Sequence, residues 1–201
     1  YLLETKLVTI SVITYNRLKL NKLFIESCLQ TTNKDKIQLA VVDNNSADGT
    51  KEYLIEQHKL NNINKLILND KNFGLGYAAN QGFDINLNNS EYVSKFDNDY
   101  YFNEGWFENF YNVMMATQAD CIIVCKLQPG QPDSEKFIFE KNNTRFYVNS
   151  KDIGGCFFIK SSFIKKYNLY MDPKPFQPKY IGPNQEFFNK VRKNGGSVVR
   201  I

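Results

Sequence analysis

EYVSKFDNDYY, residues Glu91 to Tyr101, reads as a strand that runs into two acids. Tyr92, Val93 and Phe96 give it the aromatic and β-branched content of a buried strand, and Asp97-Asn98-Asp99 closes it with two carboxylates one residue apart. Burying two negative charges is costly unless a positive group neutralises them. A divalent cation with oxygen ligands, carrying a phosphorylated substrate, is one such partner. A solvated turn is the other reading, because Asp and Asn are favoured turn residues. The segments on either side decide between the two.

Upstream, the same pattern of apolar run and polar ending recurs. Leu7 to Thr14 (LVTISVIT) is a dense β-branched run followed by Tyr15-Asn16-Arg17. An amphipathic stretch then reaches about Gln30, with Leu18, Leu20, Leu23, Phe24 and Leu29 as the expected apolar stripe. Leu39 to Val42 is a second strand, Asp43 to Thr50 (DNNSADGT) a loop rich in capping residues, and Thr50 to Lys59 a helix. Lys65 to Leu68 is a third strand, leading into NFGLGYAANQG, residues 72–82, and a further helix. Beyond the acids, Trp106 to Thr117 predicts a helix with Phe107, Phe110, Val113 and Met114 facing inward, and Cys121 to Lys126 a fifth strand. Strand–helix alternation at this pace predicts an α/β fold with a mainly parallel sheet. Ligands of such sheets bind at the carboxyl ends of the strands, where the clusters at Asn16, Asp43, Gly74 and Asp97 all fall.

The second half is less regular. Gln128 to Ser150 carries a Pro-Gly turn and a hairpin expected over Lys136 to Val148. Gly154-Gly155 heads a strand through Ile159, Ser161 to Tyr167 is a short helix, and Met171 to Pro183 is an irregular, proline-rich loop. A last helix, Asn184 to Asn194, carries Glu186 near its start and is stopped by Gly195-Gly196. Ser197 to Ile201 resembles a strand cut short, so the chain is expected to be part of a longer polypeptide.

Composition narrows the class. The 201 residues suit one domain with a buried core, and 42% hydrophobic with 23% charged residues is ordinary for a globular protein. A net charge of +4 favours an anionic ligand, but no dense Lys/Arg run with interleaved aromatics points to nucleic acid. No apolar run approaches the roughly 18 residues of a membrane span, and the N-terminus lacks the layout of a signal peptide. Cys28, Cys121, Cys125 and Cys156 have no metal-ligand or redox spacing and read as reduced core residues of a cytoplasmic protein. The Asn-x-Ser/Thr triplets at Asn44, Asn88 and Asn142 read as chance, and His58 reads as a solvated residue on its helix's polar side.

The clusters suggest their own chemistry. A dinucleotide fingerprint in NFGLGYAANQG fits poorly, since that fingerprint belongs after the first strand, where this chain has TYNR. Its glycines allow close backbone approach to a ligand and tight helix packing, or simply form a tight strand–helix turn. Asp43 has two readings, an acceptor for a ribose or base edge or a helix cap, though Ser46 and Asp48 also suit the cap. Tyr15 either lies against a base face or packs on the rim.

ISVITYNR, VVDNNSADGT, NFGLGYAANQG, FDNDY and GGCFFIKSSF, in this order and spacing, resemble family-2 glycosyltransferases of the GT-A fold, and the resemblance runs from about Leu7 to Gly196. It implies a Rossmann-like nucleotide-binding sheet flanked by helices over about residues 1–100, and a smaller mixed acceptor-side region over about 101–201. It also implies a nucleotide-sugar donor, most naturally a UDP-sugar, an Mn2+ or Mg2+ ion, and inversion at the anomeric carbon. By the resemblance, Thr14, Tyr15, Asn16, Arg17, Asp43 and Asn45 flank the base and ribose, and Asn72, Gly74 and Asn80 lie beside the nucleotide. Asn98 and Gly155 complete the donor site, Asp97 reaches the ribose or the metal shell, and Asp99 binds the metal.

The resemblance fails in places. The family usually opens its last helix with a Glu-Asp pair, and this chain has Pro183-Asn184-Gln185-Glu186 there. Glu186 is the candidate base that takes the proton from the acceptor hydroxyl, or else an acid placed in a first helical turn by the dipole; Asp172 is the second candidate. The metal-binding His that many members carry beyond the last helix has no match before Ile201, so either it lies in sequence outside this segment or the ion relies on Asp99, the diphosphate and water. Saccharide, lipid-linked and protein acceptors all remain open, as does peripheral membrane contact through sequence outside this segment. Two other functions compete: a nucleotide-sugar-binding domain without catalysis, and a nucleotidyltransferase-like enzyme.

Overall fold

In the first strand of the fold, β1 (Lys6–Thr14), every residue from Val8 to Thr14 is buried. Burial on both faces is what a central parallel strand requires, and it explains the continuous apolar run. The computed structural model describes residues 6–31, 35–124, 138–141, 144–147, 155–173 and 182–200. After β1 come α1 (Leu18–Thr31), β2 (Ile37–Asp43), α2 (Thr50–Lys59), β3 (Lys65–Leu68), α3 (Leu75–Asp84), β4 (Ser90–Asp97) and α4 (Trp106–Thr117). The second half contributes β5 (Cys121–Val124), β6 (Ile138–Lys141), β7 (Thr144–Tyr147), β8 (Cys156–Lys160), α5 (Ser161–Tyr167), α6 (Pro183–Lys193) and β9 (Val198–Arg200).

These strands form one sheet in the order β3-β2-β1-β4-β8-β5-β9-β7-β6. β1 to β4 are parallel, as the alternation predicts. β8 then runs antiparallel to both β4 and β5, which makes the second half mixed. The expected hairpin is present as β6 and β7. Residues 125 and 126 of the expected fifth strand and residues 174–181 of the proline-rich loop lie outside the described residues. Among the described residues no helix is long and apolar enough to cross a membrane.

Helices cover both faces of the sheet. One core gathers Phe24, Leu54, Tyr92, Phe96, Phe110 and Phe158 beneath α1, α2 and α4. The other gathers Val42, Phe83, Val93, Phe157, Phe187 and Phe188 beneath α3, α5 and α6. Phe107, Phe110, Val113 and Met114 of α4 point inward as expected. The stripe of α1 differs. Its buried residues are Asn21, Phe24, Ile25 and Cys28, spaced as one helical face, whereas Leu23 is 48% exposed. Apolarity alone misses this rotation because Asn21, a polar residue, occupies the most rim-ward core position and has hydrogen-bond partners there.

Glycines in α3 serve close packing. A Cβ on Gly76 would fall far inside van der Waals contact of the Asp172 carbonyl, and one turn later Asn80 exchanges two hydrogen bonds with the Met171 backbone, both 2.9 Å. The close approach is therefore to the chain's own 171–173 segment. Gly76→Ala is expected to destabilise the domain by about 1–3 kcal/mol through overpacking against backbone, seen as a lower midpoint in chemical denaturation with an unchanged slope.

Candidate active site at the carboxyl rim of the sheet

Strand register brings the predicted clusters to one edge. Thr14 pairs with Asp43, Asp43 with Leu68, and Ile13 with Asp97, so β1 to β4 end flush. Thr14 Oγ1 donates to Asp43 Oδ1 at 2.8 Å, the Ser46 amide donates to Asp43 Oδ2 at 2.9 Å, and Ser46 Oγ also bonds Oδ1. Asp43 is fully buried. Its carboxylate is thus spent on the two rim loops, and it does not cap α2, whose N-cap is Gly49 without a side-chain bond. Asn16 is similarly engaged: its amide donates to Ser46 Oγ at 2.7 Å and its Oδ1 accepts from Ala47 at 2.9 Å.

Arg17 starts α1 from an unusual backbone conformation, φ 64 directly after Asn16 at φ 54. Left-handed geometry costs a bulky residue about 1–3 kcal/mol. The Arg17 carbonyl offsets this by accepting the Leu20 and Asn21 amides at 2.9 and 3.1 Å. Tyr15, 49% exposed, and Arg17 are left at the surface beside the frame of Thr14 and Asp43.

Asn44, picked out by sequence only as a glycosylation triplet, organises the neighbouring loop. Its Nδ2 donates to Asn72 Oδ1 at 2.9 Å and to the Gly74 carbonyl at 3.2 Å, and its Oδ1 accepts from the Phe73 amide and Asn69 Nδ2, both at 3.1 Å. A buried amide so occupied leaves no nitrogen for a glycan. Gly74 adopts φ 86, ψ 167, a region open to glycine alone, and a Cβ there would meet nothing within 4 Å. The residue is needed for its backbone shape, and the space in front of it is clear. Asn45, at φ 69, accepts from Lys51 Nζ at 2.6 Å.

At the end of β4 the two acids differ sharply. Lys95 is fully buried, and its Nζ lies 2.6 Å from Asp97 Oδ1 and 2.7 Å from the Gly155 carbonyl. A Cβ on Gly155 would fall on Asp97 Oδ2, so a larger residue there would have to displace that carboxylate. The Asp97 amide donates to Cys156 Sγ at 3.4 Å, and Asn98 Nδ2 reaches Asn21 Oδ1 at 2.7 Å. Asp99 is exposed and has no hydrogen-bond partner among the described residues. Burial pushes the Tyr100 hydroxyl well above the usual phenol range, and its hydrogen bond to Cys156 adds to this. Burial, with the Asp97 charge, likewise pushes the Cys156 thiol up to about 12. At pH 8 Cys156 is therefore a neutral thiol, and peptide mapping after iodoacetamide treatment of the folded protein is expected to find it unmodified.

α6 reaches the same face of the sheet. Phe187 and Phe188 pack on Phe157 with ring centroids 5.1 and 5.2 Å away, and Phe157 is the strand neighbour of Lys95. Glu186, one residue before this anchor, lies in the first turn of α6 with Oε1 3.2 Å from Lys190 Nζ. Asp172 is half-buried next to α3, on the segment held by Asn80. Among the described residues no group of three or more His, Cys, Asp or Glu could hold a metal ion. Asp99 is an exposed carboxylate of the kind that could serve a Mg2+- or Mn2+-type ion, which takes one or two carboxylates and completes its shell with phosphate oxygens and water.

Residues 9–168 match the model of glycosyl transferase family 2. The chain belongs to that family. It is 28% identical over 140 residues to EpsH of Bacillus subtilis (strain 168), which carries the name glycosyltransferase; the match takes 67% of this chain and 37% of EpsH. The fold is GT-A, the fold of its structural neighbours. S. aureus TarS 1-349 in complex with UDP-GlcNAc superposes with a TM-score of 0.75 at 19% identity, covering 97% of this chain and 56% of TarS 1-349. The mannosyltransferase PcManGT of Pyrobaculum calidifontis, in complex with GDP-Man and Mn2+, gives 0.72 at 16% identity, covering 98% and 55%. GalNAc-T7 with UDP, GalNAc and Mn2+ gives 0.80 at 16% identity, covering 98% and 43%. The chain spans little more than half, or less, of each of these relatives.

The strand ends meet at one rim as the sequence pattern predicts, whereas nothing in that pattern marks Asn21, Asn44 or Lys95 as part of its frame. The buried asparagines carry a weak signal, lying beside predicted loops at helical or turn spacing. Lys95 carries none, because a lysine in a strand reads as solvated until its partners are known.

Proposed function

We propose that this domain transfers a sugar from a nucleotide sugar, first of all a UDP-sugar, to an acceptor hydroxyl, in the synthesis of a polysaccharide or glycoconjugate. The observation that carries the reading is the flush rim, where β1, β2 and β4 end together with the loops built on Asp43 and Asn44 and with Asp97; α6, which carries Glu186, packs on the same sheet through Phe187 and Phe157. The family match and the UDP, UDP-GlcNAc and GDP-Man complexes of the neighbours support a nucleotide-sugar donor. Two neighbours holding Mn2+ support a divalent ion.

In this reading Tyr15 and Arg17 border the base, while Thr14, Asn16 and Asp43 act by fixing the loop that presents them. Asn45, Asn72 and Gly74 line the nucleotide side, with Asn80 holding the wall behind them. Asp97 faces the donor from the Lys95–Gly155 seat. Asp99 holds the ion, which when bound neutralises the charge that gathers on the departing diphosphate. Glu186 takes the proton from the acceptor hydroxyl on the face opposite the leaving group, the geometry of an inverting displacement. The Glu186–Lys190 pair and the missing Glu-Asp couple also support a second reading, a donor-binding domain without turnover.

The test is UDP release from a set of UDP-sugars with Mn2+ and mixed saccharide acceptors. The proposal expects acceptor-dependent release that EDTA stops. Pyrophosphate from a nucleoside triphosphate and a sugar 1-phosphate, with no UDP release, would assign the nucleotidyltransferase chemistry instead.

A further inference from the structure

Three of the loops that end at the rim meet on one side chain beneath it, Asn21 of α1. Asn21 is buried, and both protons of its amide are engaged: Nδ2 donates to the Asn16 carbonyl at 2.8 Å and to Thr50 Oγ1 at 3.0 Å. Its Oδ1 accepts from Asn98 Nδ2 at 2.7 Å. The first bond holds the loop after β1 at the peptide that joins its two left-handed residues, Asn16 and Arg17. The second reaches Thr50, the first residue of α2, whose amide is tied to Asp48 and through it to the Leu18 amide. The third reaches the middle of Asp97-Asn98-Asp99. A polar amide on the core stripe of a helix costs stability unless its bonds are made, and once made they fix the groups that meet on it.

Asp99 is exposed, and the residues on either side of it are the ones that are held. Tyr100 bonds Cys156 and packs edge-on against Phe96 with ring centroids 6.0 Å apart, which ties the turn to β4 and β8. Asn98, buried on Asn21, ties the same turn to the loops that carry Tyr15, Arg17 and Asp43. We infer that Asn21 is a positioning residue that fixes the Asp99 turn against the nucleoside-side loops, so that one rigid rim presents both at a set separation. This rests on the donor-and-metal reading above. A diphosphate of fixed length has to span the two sides, and a loosened rim would be ordered only on binding, which weakens it.

The experiment measures UDP affinity by isothermal titration with and without Mn2+ in the wild type, Asn21→Leu, Asn98→Ala and the double variant. The ratio of the two affinities is the gain supplied by the ion. A wild type without a gain overturns the donor-and-metal reading, and the inference with it. In a wild type that shows one, the gain is expected to fall about fivefold or more in each single variant, the low end of coupling between sites. It is expected to fall no further in the double variant, because both substitutions remove the same link. Metal-free UDP affinity is expected to fall in Asn21→Leu, which also releases the Asn16 carbonyl, and to stay within about twofold of wild type in Asn98→Ala, which does not. A merely structural asparagine would lower the melting temperature of Asn21→Leu and leave the gain as it is. An unchanged gain in either folded variant, a metal-free affinity that Asn21→Leu does not alter, or losses that add in the double variant overturns the inference alone. Should Asn21→Leu fail to fold, Asn98→Ala decides: a gain about fivefold lower with metal-free affinity preserved supports the inference, and a gain within about twofold of wild type overturns it.

Discussion

Glu186→Gln is expected to lower kcat for sugar transfer by about 10²- to 10⁴-fold, the usual range for removing a general base, while the affinity for UDP with Mn2+ stays unchanged. The substitution keeps the shape of the side chain and removes its ability to accept a proton. Its structural cost is small, because the ion pair with Lys190 joins partly exposed groups at i,i+4, and such pairs contribute about 0.3–0.5 kcal/mol. α6 remains anchored through Phe187 and Phe188, both fully buried. Loss of activity with an unchanged melting temperature and unchanged donor binding therefore isolates the proton transfer. Full activity in Glu186→Gln would pass the role to another acid, with Asp172 next in line.

Asp99→Asn is expected to abolish most metal-supported donor binding, raising the half-saturating concentration of UDP with Mn2+ at least about tenfold and lowering kcat/KM by about 10²- to 10³-fold, the scale for losing one electrostatic stabiliser of the transition state. Asp99 is exposed and without a hydrogen-bond partner among the described residues, so its replacement should leave stability within about 0.5 kcal/mol. Isothermal titration in the presence and absence of Mn2+ separates the effect on the ion from any effect on the nucleotide. An Asp99→Asn protein that binds UDP with Mn2+ as the wild type does would remove the carboxylate from the ion's shell.

How much of this was legible in the sequence depends on the kind of residue. The parallel half followed from periodicity, because β1 and β2 are buried on both faces and so read as unbroken apolar runs. The rim followed from topology: strands entering helices through Tyr15-Asn16-Arg17, Asp43-Asn44 and Asp97-Asn98 must place those residues at one edge. What was not legible is which polar groups face inward. Asp43 reads as an open acceptor until Thr14 and Ser46 are seen to enclose it. Asn80 reads as a nucleotide neighbour until Met171 is found on its amide. The charge balance at Asp97 depends on a carbonyl 60 residues away in sequence from Lys95, and no local pattern encodes that meeting. The helix α1 is present as expected, but its buried face differs for a related reason, since Asn21 is buried for its bonds to Asn16, Thr50 and Asn98 rather than for its own apolarity.

The proposed function stands on one property, that the carboxyl rim of the parallel strands holds a nucleoside diphosphate together with a divalent ion. It is tested most directly by measuring the melting temperature with UDP, Mn2+, both together, and NAD as a dinucleotide control. UDP and Mn2+ together are expected to raise the melting temperature by more than the sum of their separate shifts, and NAD is expected to do nothing. Stabilisation by NAD, with no response to UDP and Mn2+, would contradict it.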